Sequence, residues 1–249
     1  VIAKKNGENT IIKATAENAD GIIVEATKEI SPASVDIIIE PITYTPPFYQ
    51  GKQLFVAQSQ ARLIAMPNIV VDGKSVNSDN LVFKWSKNGI VLGSESGLGK
   101  NSIIIEGSIP IRDIEVGLQV LNTSGKVVAA TSKTILVNSP KIVFYEENSL
   151  YGILFNKSLN NGYYLGLKEE VDVIAKPFFF SFTSDVDNDA LYKWYLNGNY
   201  IAPSGRKNLL VLKQTNTELK GTAKISLDLS NSTNIFQYTS GSFGVTFGQ

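Results

Sequence analysis

The sequence predicts an all-β chain built as tandem β-sandwiches joined by short linkers. Three observations predict it. One block of residues recurs around the chain's two tryptophans. A second hairpin pattern occurs three times. Almost every stretch between turn signals is rich in β-branched and aromatic residues and holds no helical period.

The tryptophan blocks read VFKWSKNG at residues 82–89 and LYKWYLNG at residues 191–198, an offset of 109 residues. Upstream, IAMP at 64–67 matches IAKP at 174–177. Downstream, GKNSIII at 99–105 matches GRKNLLVL at 205–212. Matched blocks in one order at one period are the mark of an internal repeat. In both blocks the tryptophan precedes Asn-Gly, namely Asn88-Gly89 and Asn197-Gly198. Asn-Gly favours a type I′ turn, whose twist fits two antiparallel strands. Trp85 and Trp194 are therefore expected in the core, mid-strand, ahead of a hairpin.

The second pattern is a polar turn between two β-rich runs. It spans Asn18 to Gly21, Asn122 to Gly125 and Asn231 to Asn234. Gly21, Gly125 and Asn234 close these turns, because Gly and Asn accept the positive φ a short hairpin loop requires. Ser31-Pro32 and Ser139-Pro140 follow the first two hairpins. The boundaries then read as a terminal hairpin of a truncated domain at 1–32, one full repeat at 33–139 and another at 140–249. A repeat of about 105–110 residues with a core tryptophan on its third strand is that of an immunoglobulin-like sandwich. Linkers of this length leave little free chain between sandwiches.

Composition narrows function. The 249 residues include 23 basic and 23 acidic side chains, 43% hydrophobic residues, no cysteine and no histidine. A balanced charge argues against nucleic acid, which needs a basic face, and against an electrostatic hold on anionic lipid. Without Cys or His there are no disulfides, thiolate nucleophiles, imidazole bases or Cys/His metal sites. No stretch approaches the ~18–20 apolar residues of a membrane span, so this segment is expected not to insert directly into a membrane. The chain starts at Val1, which reads as a processed or truncated form whose export signal or anchor lies elsewhere.

The disulfide-free pattern fits bacterial Ig-like or PKD-like sandwiches. The runs YTPPFYQGK at 44–52, FKWSKNGIVLGSESGLGKNS at 83–102, FYEENSLYGILFNKSL at 144–159 and AKPFFFSF at 175–182 resemble Ig-like surface proteins of candidate-phyla (Patescibacteria-type) bacteria. The resemblance implies an exported, envelope-associated protein. It implies no catalytic residue.

Three groups of residues are candidates for chemistry. Asp185, Asp187 and Asp189 alternate in a loop, and converging carboxylates are what calcium takes; the incomplete EF-hand pattern favours a solvated loop whose Asp and Asn side chains make turns. No other cofactor is expected. Glu146-Glu147 and Glu169-Glu170 are adjacent pairs. Neighbours on a strand face opposite ways, whereas a glycosidase needs two acids about 5–10 Å apart in one cleft. Tyr44, Phe48 and Tyr49, with Tyr163, Tyr164 and Tyr200 expected in loops, are candidate binding aromatics, weighed against simple packing at the sandwich ends. A Lys, an Asn or Asp and a carboxyl group buried together are what an intramolecular isopeptide bond requires; sequence alone names no such trio. The sequence thus points to a non-enzymatic structural or adhesive module of the cell surface, open to self-assembly or a protein partner. The alternative is a carbohydrate-binding or accessory domain of a larger exported enzyme.

Overall fold

A computed structural model describes residues 10–17, 23–30, 33–71, 74–203, 205–215 and 220–248. The chain divides into two compact units. One comprises Val1–Ile39, Arg62–Ile105 and Asp113–Ile135; the other comprises Glu40–Ala61, Glu106–Arg112 and Leu136–Gln249.

The first unit holds all or most of β1 (Thr10–Glu17), β2 (Ile23–Ile30), β3 (Ser34–Ile42), β4 (Gln60–Asn68), β5 (Val70–Val71), β6 (Lys74–Ser75), β7 (Val82–Lys87), β8 (Ile90–Val91), β9 (Gly97–Leu98), β10 (Ser102–Glu106), β11 (Ile114–Leu121) and β12 (Val127–Ile135). One sheet runs β10-β4-β3 and the other β12-β11-β7-β8, with β9 also on β7. Alternation selects the inner faces. In β11 every second residue (Ile114, Val116, Leu118, Val120) is buried; Leu63, Ala65, Ile103 and Ile105 are buried on the other sheet. The β1–β2 hairpin pairs antiparallel from Thr10 opposite Ile30 to Glu17 opposite Ile23, and leaves Ile11, Ile23 and Val24 exposed. Its expected turn at Asn18 to Gly21 lies outside the described residues.

The second unit contains β13 (Lys141–Asn148), β14 (Gly152–Ser158), β15 (Tyr163–Gly166), β16 (Glu170–Phe178), β17 (Ala190–Leu196), β18 (Asn199–Ile201), β19 (Leu209–Lys213), β20 (Gly221–Asn231) and β21 (Tyr238–Phe247). Its sheets run β14-β13-β16-β19 and β15-β21-β20-β17-β18. Phe144, Val173, Ala175 and Leu210 from one sheet meet Tyr192, Trp194, Leu227 and Phe243 from the other in a single core cluster.

Strand by strand the two orders match. β10-β4-β3 corresponds to β19-β16-β13, and β12-β11-β7-β8 to β21-β20-β17-β18. The register matches too: Trp85 lies opposite Leu118 and Trp194 opposite Leu227. First, second and fifth strands on one sheet, with third, sixth and seventh on the other, is the immunoglobulin-like order. The second copy adds β14, antiparallel beside β13, and β15, which pairs parallel with β21.

The phenylalanine run does not continue as one strand. β16 stops at Phe178, and Phe179 takes a φ of +66°, which is rare for a bulky residue. The kink divides the run. Phe178 and Phe179 pack with Val56, Phe48 and Tyr49, while Phe180 and Phe182 stack in the main core at 4.7 Å. Tyr44 fixes the kink from outside: its N–H donates to the Phe180 carbonyl and its carbonyl accepts from Phe179 N–H, both at 2.7 Å.

Candidate functional site

Each tryptophan is fully buried and spends its one side-chain donor on a carbonyl just before the fifth strand. Trp85 Nε1 donates to the Lys100 carbonyl at 2.9 Å, and Trp194 Nε1 to the Lys207 carbonyl at 3.0 Å. A buried indole N–H needs such a partner. The turns that follow are type I′, with φ of +51° and +80° at Asn88 and Gly89, and +49° and +86° at Asn197 and Gly198. Asn88 N–H donates to the Glu115 carbonyl while its Oδ1 accepts from Glu115 N–H; Asn197 makes the same pair with Lys224. The asparagine thereby extends the ladder one residue beyond the strand.

The remaining turn residues diverge. Gly125 has a φ of +81° in a tight turn closed by Asn122 Oδ1, which accepts from Lys126 N–H at 2.9 Å. Asn234 departs from expectation. It does not take the left-handed conformation, because the loop runs on to Gln237 before β21 begins. There Asn231 Oδ1 accepts from the N–H groups of Thr233 and Asn234, each at 3.0 Å. The Gln237 amide, wholly buried, reaches the Ala57 carbonyl and Ser181 Oγ, each at 2.8 Å, and accepts from Ser181 N–H.

The three aspartates sit in one loop but face different partners. Asp187 Oδ2 accepts from Thr183 N–H at 2.9 Å and Thr183 Oγ at 2.6 Å, and its Oδ1 accepts from Asp189 N–H at 3.0 Å. The Thr183 hydroxyl and amide hold the Asp187 carboxyl below the usual carboxylate range, against partial desolvation. Asp189 Oδ1 accepts from Ser232 Oγ at 2.7 Å. Asp185 turns inward, pairing with Lys176 Nζ and accepting from Asn208 Nδ2 at 3.2 Å. Among the described residues no group of three or more acidic side chains is placed to hold a metal ion.

Sequence reasoning missed Lys176 and Asn208, although a signal was present. IAKP differs from IAMP by a lysine where the earlier block has Met66, within a strand whose neighbours are apolar. Lys176 is 12% exposed and Asp185 is 19% exposed as side chains; Asn208 is 1% exposed. Burial pushes the Tyr44 hydroxyl up to about 12, with Asp185 adding to the shift. It raises Tyr192 as well, whose hydroxyl donates to the Asp185 carbonyl.

The paired glutamates separate as strand parity requires. Glu146 accepts from the Tyr163 hydroxyl and Lys168 Nζ, each at 2.8 Å. Burial works to raise its carboxyl, and Lys168 and Tyr163 outweigh it, so the group is held low. Glu147 pairs with Arg206 and Glu170 with Lys213.

The aromatics also need correction. Tyr163 and Tyr164 lie on β15 and Tyr200 on β18, not in loops. Alternation turns Tyr163 inward to 7% exposure, leaving Tyr164 and Tyr200 exposed. Tyr44, Phe48 and Tyr49 are half-buried, and Phe48 packs against Phe155 at 3.8 Å between ring centroids. Tyr164 walls a trough of about 890 Å³ over the outer face of β21 and β20, with Asn160, Asn161, Asn197 and Lys224 around it and Gly244 among its lining.

No protein-family model matches the chain, and no curated protein matches it. Among solved structures the chain is similar to the fibronectin(III)-like modules of Clostridium thermocellum CbhA, at 11% identity and a TM-score of 0.28, over 85% of this chain and 95% of that one. It is also similar to Sidekick-1 immunoglobulin domains 1–4 (14% identity, TM-score 0.30, 100% of this chain) and domains 1–5 (13%, 0.29, 99%). It spans 61% and 48% of those two chains. By its own strand order and register, the chain is a tandem of immunoglobulin-like β-sandwiches.

Proposed function

We propose that this chain is a non-enzymatic structural or adhesive module of the bacterial cell surface, acting through contacts with protein partners or further copies of itself. One observation carries the reading. The same tryptophan-pinned sandwich is built twice, and the polar side chains that looked chemical are used to build it. Asp187 and Asp189 tie loops, and Glu146, Glu147 and Glu170 hold ion pairs on the sheets. Beads coated with the full chain should adhere to a cell or protein surface without altering it. Release of cleaved product from a panel of polysaccharide and peptide substrates would overturn the proposal.

The trough beside Tyr164 supports a second reading, a carbohydrate-binding accessory module. An exposed aromatic ring flanked by asparagine amides suits a sugar face and its hydroxyls. A glycan array probed with the full chain should then give hits that Tyr164→Ala removes. Hits unchanged by that substitution would sink this reading.

A further inference from the structure

Lys176, Asp185 and Asn208 bring an amine, an acid and an amide together in the second sandwich. Lys176 lies on β16, and Asn208 immediately precedes β19, its neighbour in the sheet. Their backbones are fixed, since Ala175 N–H donates to the Asn208 carbonyl at 2.8 Å. Lys176 Nζ and Asn208 Nδ2 both donate to the same atom, Asp185 Oδ2. Amine and amide therefore share one carboxylate oxygen. Asn208 Oδ1 is buried and has no hydrogen-bond partner in the protein. An orphan buried carbonyl is costly; rotation of the amide about Cβ–Cγ exchanges Nδ2 for Oδ1 at Asp185 Oδ2, where a protonated carboxyl is the donor it lacks.

We infer that Lys176 and Asn208 form an intramolecular isopeptide bond, with Asp185 as the acid that moves the protons. Proton transfer along the existing hydrogen bond converts the Lys176 ammonium and Asp185 carboxylate into a neutral amine and a neutral acid. With the amide turned to present Oδ1, the Asp185 O–H donates to it and polarises Cγ. The Nζ lone pair attacks Cγ, a C–N bond forms, and the carbonyl electrons move to Oδ1, which takes the Asp185 proton. The carboxylate then accepts a proton from Nζ and delivers it to Nδ2. The Cγ–Nδ2 bond breaks and ammonia leaves. The Oδ1 proton returns to Asp185 as the C=O re-forms. Lysine ammonium, carboxylate and primary amide become secondary amide, carboxylic acid and ammonia, with no redox change and no co-reactant. The half-buried site excludes most of the water that would compete for Cγ.

The first sandwich supplies the contrast. Asn101 holds the place of Asn208, its carbonyl accepting from Ala65 N–H at 2.7 Å, but Met66 stands where Lys176 would be. That copy has the amide and lacks the amine.

Intact-mass spectrometry of the full chain, kept at neutral pH and then denatured, tests the inference. The chain should be lighter than its sequence mass by one ammonia. Its protease digest should contain a branched peptide joining Lys176 to Asn208. Lys176→Met and Asp185→Ala should each restore the full mass expected for the variant and give linear peptides. A wild-type chain at full sequence mass overturns the inference, whatever the variants do. So does ammonia loss without the branched peptide, or a branch between other residues. A branch that persists in Asp185→Ala removes the acid from the mechanism as written.

Discussion

In the first sandwich the backbone N–H of Trp85 donates to the Ser96 hydroxyl at 3.0 Å, and that hydroxyl donates to the Leu92 carbonyl at 2.7 Å. In the second, Trp194 lies opposite Ile201 in an uninterrupted ladder. A serine hydroxyl inserted between two strands does the work that a direct backbone pair does in the other copy. It lets the chain leave the sheet after Val91 while the Trp85 N–H keeps a partner. The loops before the tryptophan strands show the same economy of means. Asn77 Oδ1 accepts from Asp79 N–H at 3.1 Å, and Asp187 Oδ1 accepts from Asp189 N–H at 3.0 Å. Amide and carboxylate make one Asx turn. The difference between the copies teaches that the backbone frame is held constant while side chains at equivalent points are exchanged. Met66 and Lys176 are such a pair.

The comparison breaks first at the tryptophans. Trp85→Ala and Trp194→Ala should each cost about 3–5 kcal/mol, as large-to-small changes in a packed core do. Chemical denaturation of each variant should give similar losses, because burial and the indole hydrogen bond are alike. A loss confined to one of the two would mean that the copies are not equivalent.

Ser96→Ala should show a smaller effect, about 1–3 kcal/mol, since it strands the Trp85 N–H in a part-buried site. The second sandwich needs no such hydroxyl, because Trp194 pairs directly with Ile201. Unchanged stability in Ser96→Ala would show that the inserted hydroxyl is dispensable.

Calcium should have the smallest effect. If the Asp187 carboxylate is the counterpart of the Asn77 amide, millimolar calcium should leave the melting temperature where it was. A rise that Asp187→Ala abolishes would instead show that this loop takes an ion and differs from Asn77 in kind.

The parts legible in the sequence are those fixed by local chemistry. Asn-Gly sets its own turn, so Asn88-Gly89 and Asn197-Gly198 can be read directly. The tryptophans follow from the spacing to those turns, and the strand order follows from the repeat. What escaped depends on contacts distant along the chain. The kink at Phe179 is invisible in three identical side chains and arises where Tyr44 pairs with Phe180. Tyr163 and Tyr164 read as loop residues, since a strand of four residues carries little pattern of its own; once it pairs with β21, strand parity alone separates them. Asp185 stood out as a loop acid, but its meaning lies with Lys176, nine residues earlier, and with Asn208, 23 residues later. No spacing rule joins those three.

The equivalence of the two copies is tested most directly by hydrogen exchange at the indoles. The chain has two tryptophans, so an NMR spectrum of the uniformly ¹⁵N-labelled protein shows two indole N–H signals. The structure buries both rings and gives both Nε1–H groups a carbonyl partner. Both signals should persist long after transfer into heavy water, with protection of the same order. Exchange of either signal at the rate of a solvent-exposed indole would contradict the account of one tryptophan-pinned sandwich built twice.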